Sequence, residues 1–109
     1  MRISKELAKG STAMLVLSVL AEEEMYGYRI IQVIGARSEE VFSMNEGTLY
    51  PILHAMEKEG LLESYMSESE VGRKRKYYRI TSVGMLFLKE KKMEWFTFSA
   101  AVNKVIGEV

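Results

Sequence analysis

The chain has 109 residues, and its 15 basic and 15 acidic side chains cancel, so any attraction to nucleic acid must come from local charge and not from an overall field. Cysteine is absent, which excludes a disulfide framework and a thiolate metal site. The start has no signal-peptide pattern and no apolar run approaches bilayer length, so the expectation is a single soluble, cytoplasmic unit with no membrane span that buries about two-thirds of its unfolded surface.

In chain order, residues 1–9 form a polar lead carrying Lys5 and Lys9 and suit a short helical extension. Ser11 or Thr12 then caps a helix in which Met14, Leu15, Val16, Leu17, Val19 and Leu20 are apolar almost all round. That density predicts burial on most sides, with an end in the acidic cluster Glu22 to Glu24. Tyr26-Gly27-Tyr28 leads into a second helix, whose Ile30, Ile31, Val33 and Ile34 give a core stripe and whose end is weakened by Gly35. Residues 36–41 connect it to the next element.

The stretch from Ser43 to Thr81 organises the rest. Leu49, Ile52, Leu53 and Met56 recur at helical spacing, while Gly47, Pro51, His54 and Lys58 fall on the opposite side, flanked by Thr48 and Tyr50. Asn45 suits the N-cap and Gly60 the stop. Pro51 lacks an N–H and crowds the carbonyl of Gly47, so a loosened or bent first turn is expected. Leu61 to Met66 and Lys76 to Thr81 then read as two short strands around a polar loop, Ser67 to Gly72. Residues Arg73 to Arg79 hold five basic side chains and no acidic one. In a strand, the consecutive cations Arg73 to Lys76 place positive charge on both faces, which folding does not require and phosphate contact does. A solvated charged hairpin is the plainer alternative.

After Thr81 the chain predicts one long helix from Ser82 to about Ile106, roughly 24 residues or 36 Å. Its apolar side chains are too many for a lone terminal helix to leave in water, and burial against a second copy is the simplest remedy. The predicted class is therefore α+β, mainly α: a winged helix-turn-helix over residues 1–81 and a C-terminal dimerisation helix over 82–109.

On these residues the chain resembles the PadR family of bacterial transcriptional regulators, in its short form. The resemblance covers nearly the whole length. It rests on Met25-Tyr26-Gly27-Tyr28, on Asn45-Glu46-Gly47-Thr48-Leu49-Tyr50-Pro51, on the continuation from Leu53 through Met56-Glu57 to Gly60-Leu61-Leu62, and on Gly72-Arg73 through Arg75-Lys76-Tyr77-Tyr78 to Ile80-Thr81 and Gly84. It implies a homodimeric repressor on a pseudo-palindromic operator, often released by a small molecule, with the last helix and the first building the dimer. Trp95 falls where multidrug-binding members of the family stack flat aromatic compounds at the subunit seam, with Met93 and Phe96 beside it. The bulky Phe96 and Phe98 depart from that pattern and are large enough to fill the space.

The DNA-binding candidates are accordingly Asn45, Thr48, Tyr50, His54 and Lys58 on the helix and Arg73, Lys74, Arg75, Lys76 and Tyr78 on the hairpin. Thr48 suits a base edge or thymine methyl, or is an ordinary first-turn residue; Tyr50 suits a phosphate, or packs against the wing. Alternation puts one of Tyr77 and Tyr78 in the core and the other outside, and Tyr78 joins the DNA-facing set. The dimer candidates are Leu88, Trp95, Phe98, Val102, Val105 and Ile106, and the ligand candidates Trp95, Met93 and Phe96. A ligand would be planar and apolar, or cationic, held by stacking and cation–π attraction. With one histidine, no cysteine, no paired acid–base set and no glycine-rich phosphate loop, neither metal, cofactor nor catalysis is expected. A winged-helix module for protein partners, or a dimer with a filled seam, stands as the alternative.

Overall fold

The computed structural model describes residues 3–68 and 72–107. The short α1 (Lys5–Ala8) precedes α2 (Thr12–Glu22), β1 (Met25–Tyr26), α3 (Gly27–Arg37), α4 (Glu46–Lys58), β2 (Leu62–Glu68), β3 (Lys74–Ile80) and α5 (Ser82–Ile106). The class is the expected one, a mainly helical winged-helix fold with a small antiparallel sheet.

Helix α2 is the hub, because its apolar side chains point in several directions. Val16, Leu17, Val19 and Leu20 are all buried, and the helix meets α3, β3 and α5. Helix α3 adds Ile30 and Ile34 to this core, and α4 adds Leu49, Leu53 and Met56. Helix α3 runs two residues past Gly35, beyond the expected start of the connection at Ala36. The helix continues to Arg37, and the chain then turns through Glu39 and Glu40 at φ of 51° and 66°, with the Glu40 amide donating to the Gly35 carbonyl at 2.8 Å.

Helix α4 begins and ends on local signals. Asn45 accepts the Thr48 amide on its side-chain oxygen at 2.9 Å. At the other end Gly60 adopts φ +79°, and the amides of Gly60 and Leu61 return to the carbonyls of Glu57 and Met56 at 3.1 and 2.9 Å. This double closure satisfies carbonyls the helix would otherwise leave open. Pro51 lies inside α4, which runs through it without interruption.

The sheet has the order β1-β3-β2 and is antiparallel throughout, in a register from Leu62 opposite Ile80 to Glu68 opposite Lys74. Both hairpin strands extend further toward the tip than expected. The expected loop residues 69–71 lie outside the described residues. Strand β1, which places Met25 opposite Tyr78 and Tyr26 opposite Tyr77, was not anticipated; two residues are too few to show alternation.

One alternation is resolved against expectation. Tyr78 is 4% exposed, sharing the inner face with Leu62 and Met25, and its burial first, then Tyr50 and Glu57, push its hydroxyl above the usual phenol range. It is a core residue and is withdrawn from the DNA-facing set. Tyr77 takes the outer face, with ring centroids 5.6 Å from Tyr26 and 5.7 Å from Tyr65.

Helix α5 is fastened to the end of α4. Thr81 caps it, accepting the Gly84 amide at 3.0 Å while donating its hydroxyl to the Gly60 carbonyl at 2.6 Å. The Thr81 amide donates to the Leu61 carbonyl at 3.0 Å. That same carbonyl oxygen lies 2.2 Å from where a Cβ on Gly84 would stand, so only glycine permits this approach. Leu88, expected at a subunit seam, is 3% exposed within its own chain. It seals the core and is not a surface for a second copy. Beyond it the helix runs on to Ile106, about 37 Å in all, with Trp95, Phe98, Val105 and Ile106 exposed.

Candidate nucleic-acid interface

With Leu49, Leu53 and Met56 turned inward, the opposite face of α4 is exposed and carries Gly47, Pro51, His54 and Lys58, with Thr48 beside them. Gly47 and Pro51 are small and lack competing polar groups, so the helix axis can approach a groove floor closely. Donors are Thr48, His54 and Lys58. Asn45 spends its side-chain oxygen on the cap, which leaves its amide hydrogens for an outside acceptor. Tyr50 packs against the start of α3, where a Cβ on Gly27 would come within 2.7 Å of its hydroxyl oxygen, and it also lies near enough to Tyr78 of β3 to raise that phenol. It remains 41% exposed.

The wing divides its cations by strand parity. Lys74 and Lys76 share the face of Tyr78, toward α4; Arg75 and Arg79 share the face of Tyr77. On the outer face the Arg75 guanidinium sits 4.3 Å from the Tyr26 ring and that of Arg79 sits 5.2 Å from the Tyr65 ring. Arg79 also meets Glu63 at 3.8 Å. Tyr65 donates its hydroxyl to Glu24 at 2.6 Å, and this bond raises the phenol above its ordinary range. On the inner face, Lys76 Nζ lies 4.0 Å from a Glu57 carboxylate oxygen and 5.8 Å from the Tyr78 ring. Arg73 and Lys74 are exposed near the tip.

Sequence reasoning missed four of these groups: Tyr26, Tyr65, Arg79 and Glu57. Tyr65 and Arg79 were legible in part, since hairpin parity brings residues on one face together once the register is known, whereas Tyr26 belongs to the unanticipated β1. Nothing in the sequence placed Glu57 of α4 against the wing.

A second concave surface lies between α1 and α5, an open groove of about 930 Å³. Leu7, Gly10 and Met14 form one wall and Trp95, Phe98 and Val102 the other, with the carboxylates of Glu6 and Glu94 at its edge. Trp95 and Phe98 are 6.1 Å apart by ring centroid, tilted by 37°. Met93 and Phe96, expected beside Trp95, do not line this groove and are 64% and 67% exposed elsewhere. The reason is helical spacing: steps of one and two residues turn about 100° and 200° away from Trp95, whereas steps of three and seven return to it. Phe98 and Val102 take their place. Among the described residues there is no group of three or more His, Asp or Glu side chains fit to hold a metal, and no helix is long and apolar enough to cross a membrane.

A polar helix face flanked by a basic hairpin, on a helix-turn-helix core, defines the winged-helix class of DNA-binding domain. The model of the transcriptional regulator PadR-like family matches residues 16–90. The chain therefore belongs to the PadR-like family of transcriptional regulators. An uncharacterized protein from Lysinibacillus sphaericus is 37% identical over 104 residues, covering 95% of this chain and 92% of the relative. A PadR-like transcriptional regulator from Bacillus cereus superposes with a TM-score of 0.83 at 34% identity, over 95% of this chain and 99% of the other. A transcriptional regulator from Clostridium thermocellum gives 0.84 at 34% identity, over 91% and 96%.

Proposed function

We propose that this regulator is a cytoplasmic repressor that binds a pseudo-palindromic operator as a homodimer. Each subunit sets the exposed face of α4 into the major groove, at half-sites about one helical turn or 34 Å apart. The observation that supports this reading is that the exposed face of α4 stands beside a hairpin whose tip carries the exposed cations Arg73 and Lys74, with Lys74 on the sheet face that looks toward α4. Thr48, His54 and Lys58 face the bases or the backbone beside them, and Tyr50 and Asn45 the flanking phosphates. Arg73, Lys74 and Arg75 fix register on the backbone more than they read sequence.

The dimer forms along the exposed apolar side chains of α5, among them Trp95, Phe98, Val102, Val105 and Ile106. The groove beside Trp95 receives a flat apolar ligand, and the Glu6 carboxylate favours a cationic one, Glu94 being paired with Lys91 at 3.3 Å. Occupation of that groove releases the operator.

Duplex binding followed by fluorescence anisotropy against salt tests the first part. Replacing Arg73 and Lys74 by Ala should flatten the slope of log K on log salt by up to about 2 and weaken all sequences alike. A slope equal to that of the wild type would remove the wing from the interface. Planar cationic dyes test the second part, since they should quench Trp95, the chain's single tryptophan. An intact dimer with no quenching would assign Trp95 to packing.

A further inference from the structure

Glu57 stands on the last turns of α4, and its carboxylate is turned onto the wing. One oxygen accepts the hydroxyl of Ser64 on β2, and the other lies 4.0 Å from Lys76 Nζ on β3. The two charged side chains are 32% and 50% exposed, so the pair is partly shielded from water. Ser64 and Lys76 belong to the wing face that looks toward α4, the face carrying Lys74 nearer the tip. Glu57 is thus pinned by a neutral partner while it attracts a charged one, and it is not free to follow Lys76 outward.

We propose that Glu57 sets the strength of DNA binding by holding Lys76 back from the phosphates, so that the wing delivers one cation fewer than its sequence contains. The inference rests on the DNA-binding reading above and deepens it. A lysine adds to the salt dependence of binding only where it neutralises a phosphate and releases its counterion. Lys76 already has a carboxylate at contact range, and that carboxylate also opposes any phosphate drawing near. Lys74, two ladder positions further out on the same face, stands opposite Glu68 but forms no ion pair among the described residues, and it supplies the comparison.

The experiment uses the full chain and a short duplex of arbitrary sequence, because the phosphate contribution does not depend on the operator. Glu57→Gln keeps an acceptor for Ser64 and removes the charge. It should steepen the slope of log K on log salt by about 0.9, an extra loss of about 3.5-fold in affinity between 50 and 200 mM salt. The same substitution in a Lys76→Met background should leave the slope where it was. Glu57→Met serves as a second charge-removing variant, and thermal melts establish that each protein is folded.

An unchanged slope in Glu57→Gln, or an equal change with and without Lys76, overturns the proposal. Lys74→Met separates the two levels. If it flattens the slope by about 0.9 while Glu57→Gln does nothing, the role of Glu57 falls and DNA binding stands. If the wild type and Lys74→Met bind the duplex with no salt dependence, the DNA-binding reading itself falls.

Discussion

Glu22 and Arg37 join the ends of α2 and α3 through two charge-assisted hydrogen bonds of 2.5 and 3.1 Å. The hydrogen bond from Arg37, and then its charge, hold the Glu22 carboxyl below its usual value. A folded-state value lower than the unfolded one means that stability is gained above the ordinary carboxylate range and lost as pH falls through the folded value. Thermal melts of Glu22→Gln against wild type should therefore differ modestly at neutral pH and converge in acid, and also in high salt, because the pair is exposed. A gap that persists at acid pH would show that something other than the charge was lost. Single residues were legible where their partner is close in sequence. Asn45 could be named as a cap because its acceptor needs only the amide three residues on. The choice between Tyr77 and Tyr78 needed one more step, since alternation gives two faces without saying which is inward; Ile80, two residues beyond Tyr78, was the available hint. Glu57 and Lys76 are distant in sequence and come together only once the hairpin folds back on α4.

Among elements, the junction of α4, the wing and α5 shows how much depends on one missing methyl. Gly84→Ala would drive a Cβ into the Leu61 carbonyl oxygen, a backbone atom that cannot swing aside. Its displacement would strain the Thr81 bonds to Gly60 and Leu61 as well. The expected cost is about 1–3 kcal/mol, as for other overpacked sites, read as a lower urea midpoint at constant m-value. A midpoint equal to that of the wild type would mean the helix start can shift without loss. The elements with a full period were readable in advance: α2, α3, α4, both hairpin strands and α5. Strand β1 was not, and it matters beyond its size. By pairing with β3 it places Tyr26 under Arg75 and ties the wing to the start of α3.

For the whole molecule, the excess of exposed apolar surface on α5 is the dominant fact. Its first two turns give Gly84 and Leu88 to the core while Val83, Met85 and Leu86 stay exposed, and the aromatic part of the uncovered surface lies past them, with Trp95 and Phe98. Phe98→Glu should shift the protein toward monomer in sedimentation equilibrium without lowering its helical content. The loss of paired binding should weaken a two-half-site duplex far more than a single half-site, by at least about 10²-fold. A variant that remains dimeric would move the seam elsewhere. The sequence disclosed that α5 needs a cover, because periodicity counts apolar groups; it did not disclose which of them α2 already uses. Leu88 and Phe98 look alike in a sequence, and only packing separates them.

The clasp at the foot of the hairpin has one more consequence. Gly60 and Leu61 enter the hairpin where Thr81 leaves it, and three hydrogen bonds with the glycine contact close that neck. The nineteen residues between Leu61 and Thr81 are therefore a cassette closed at its base. Chain added or removed between Glu68 and Gly72 changes how far the charged finger extends while both helices keep their places, so reach along a duplex is a variable that evolution, or an engineer, can alter on its own.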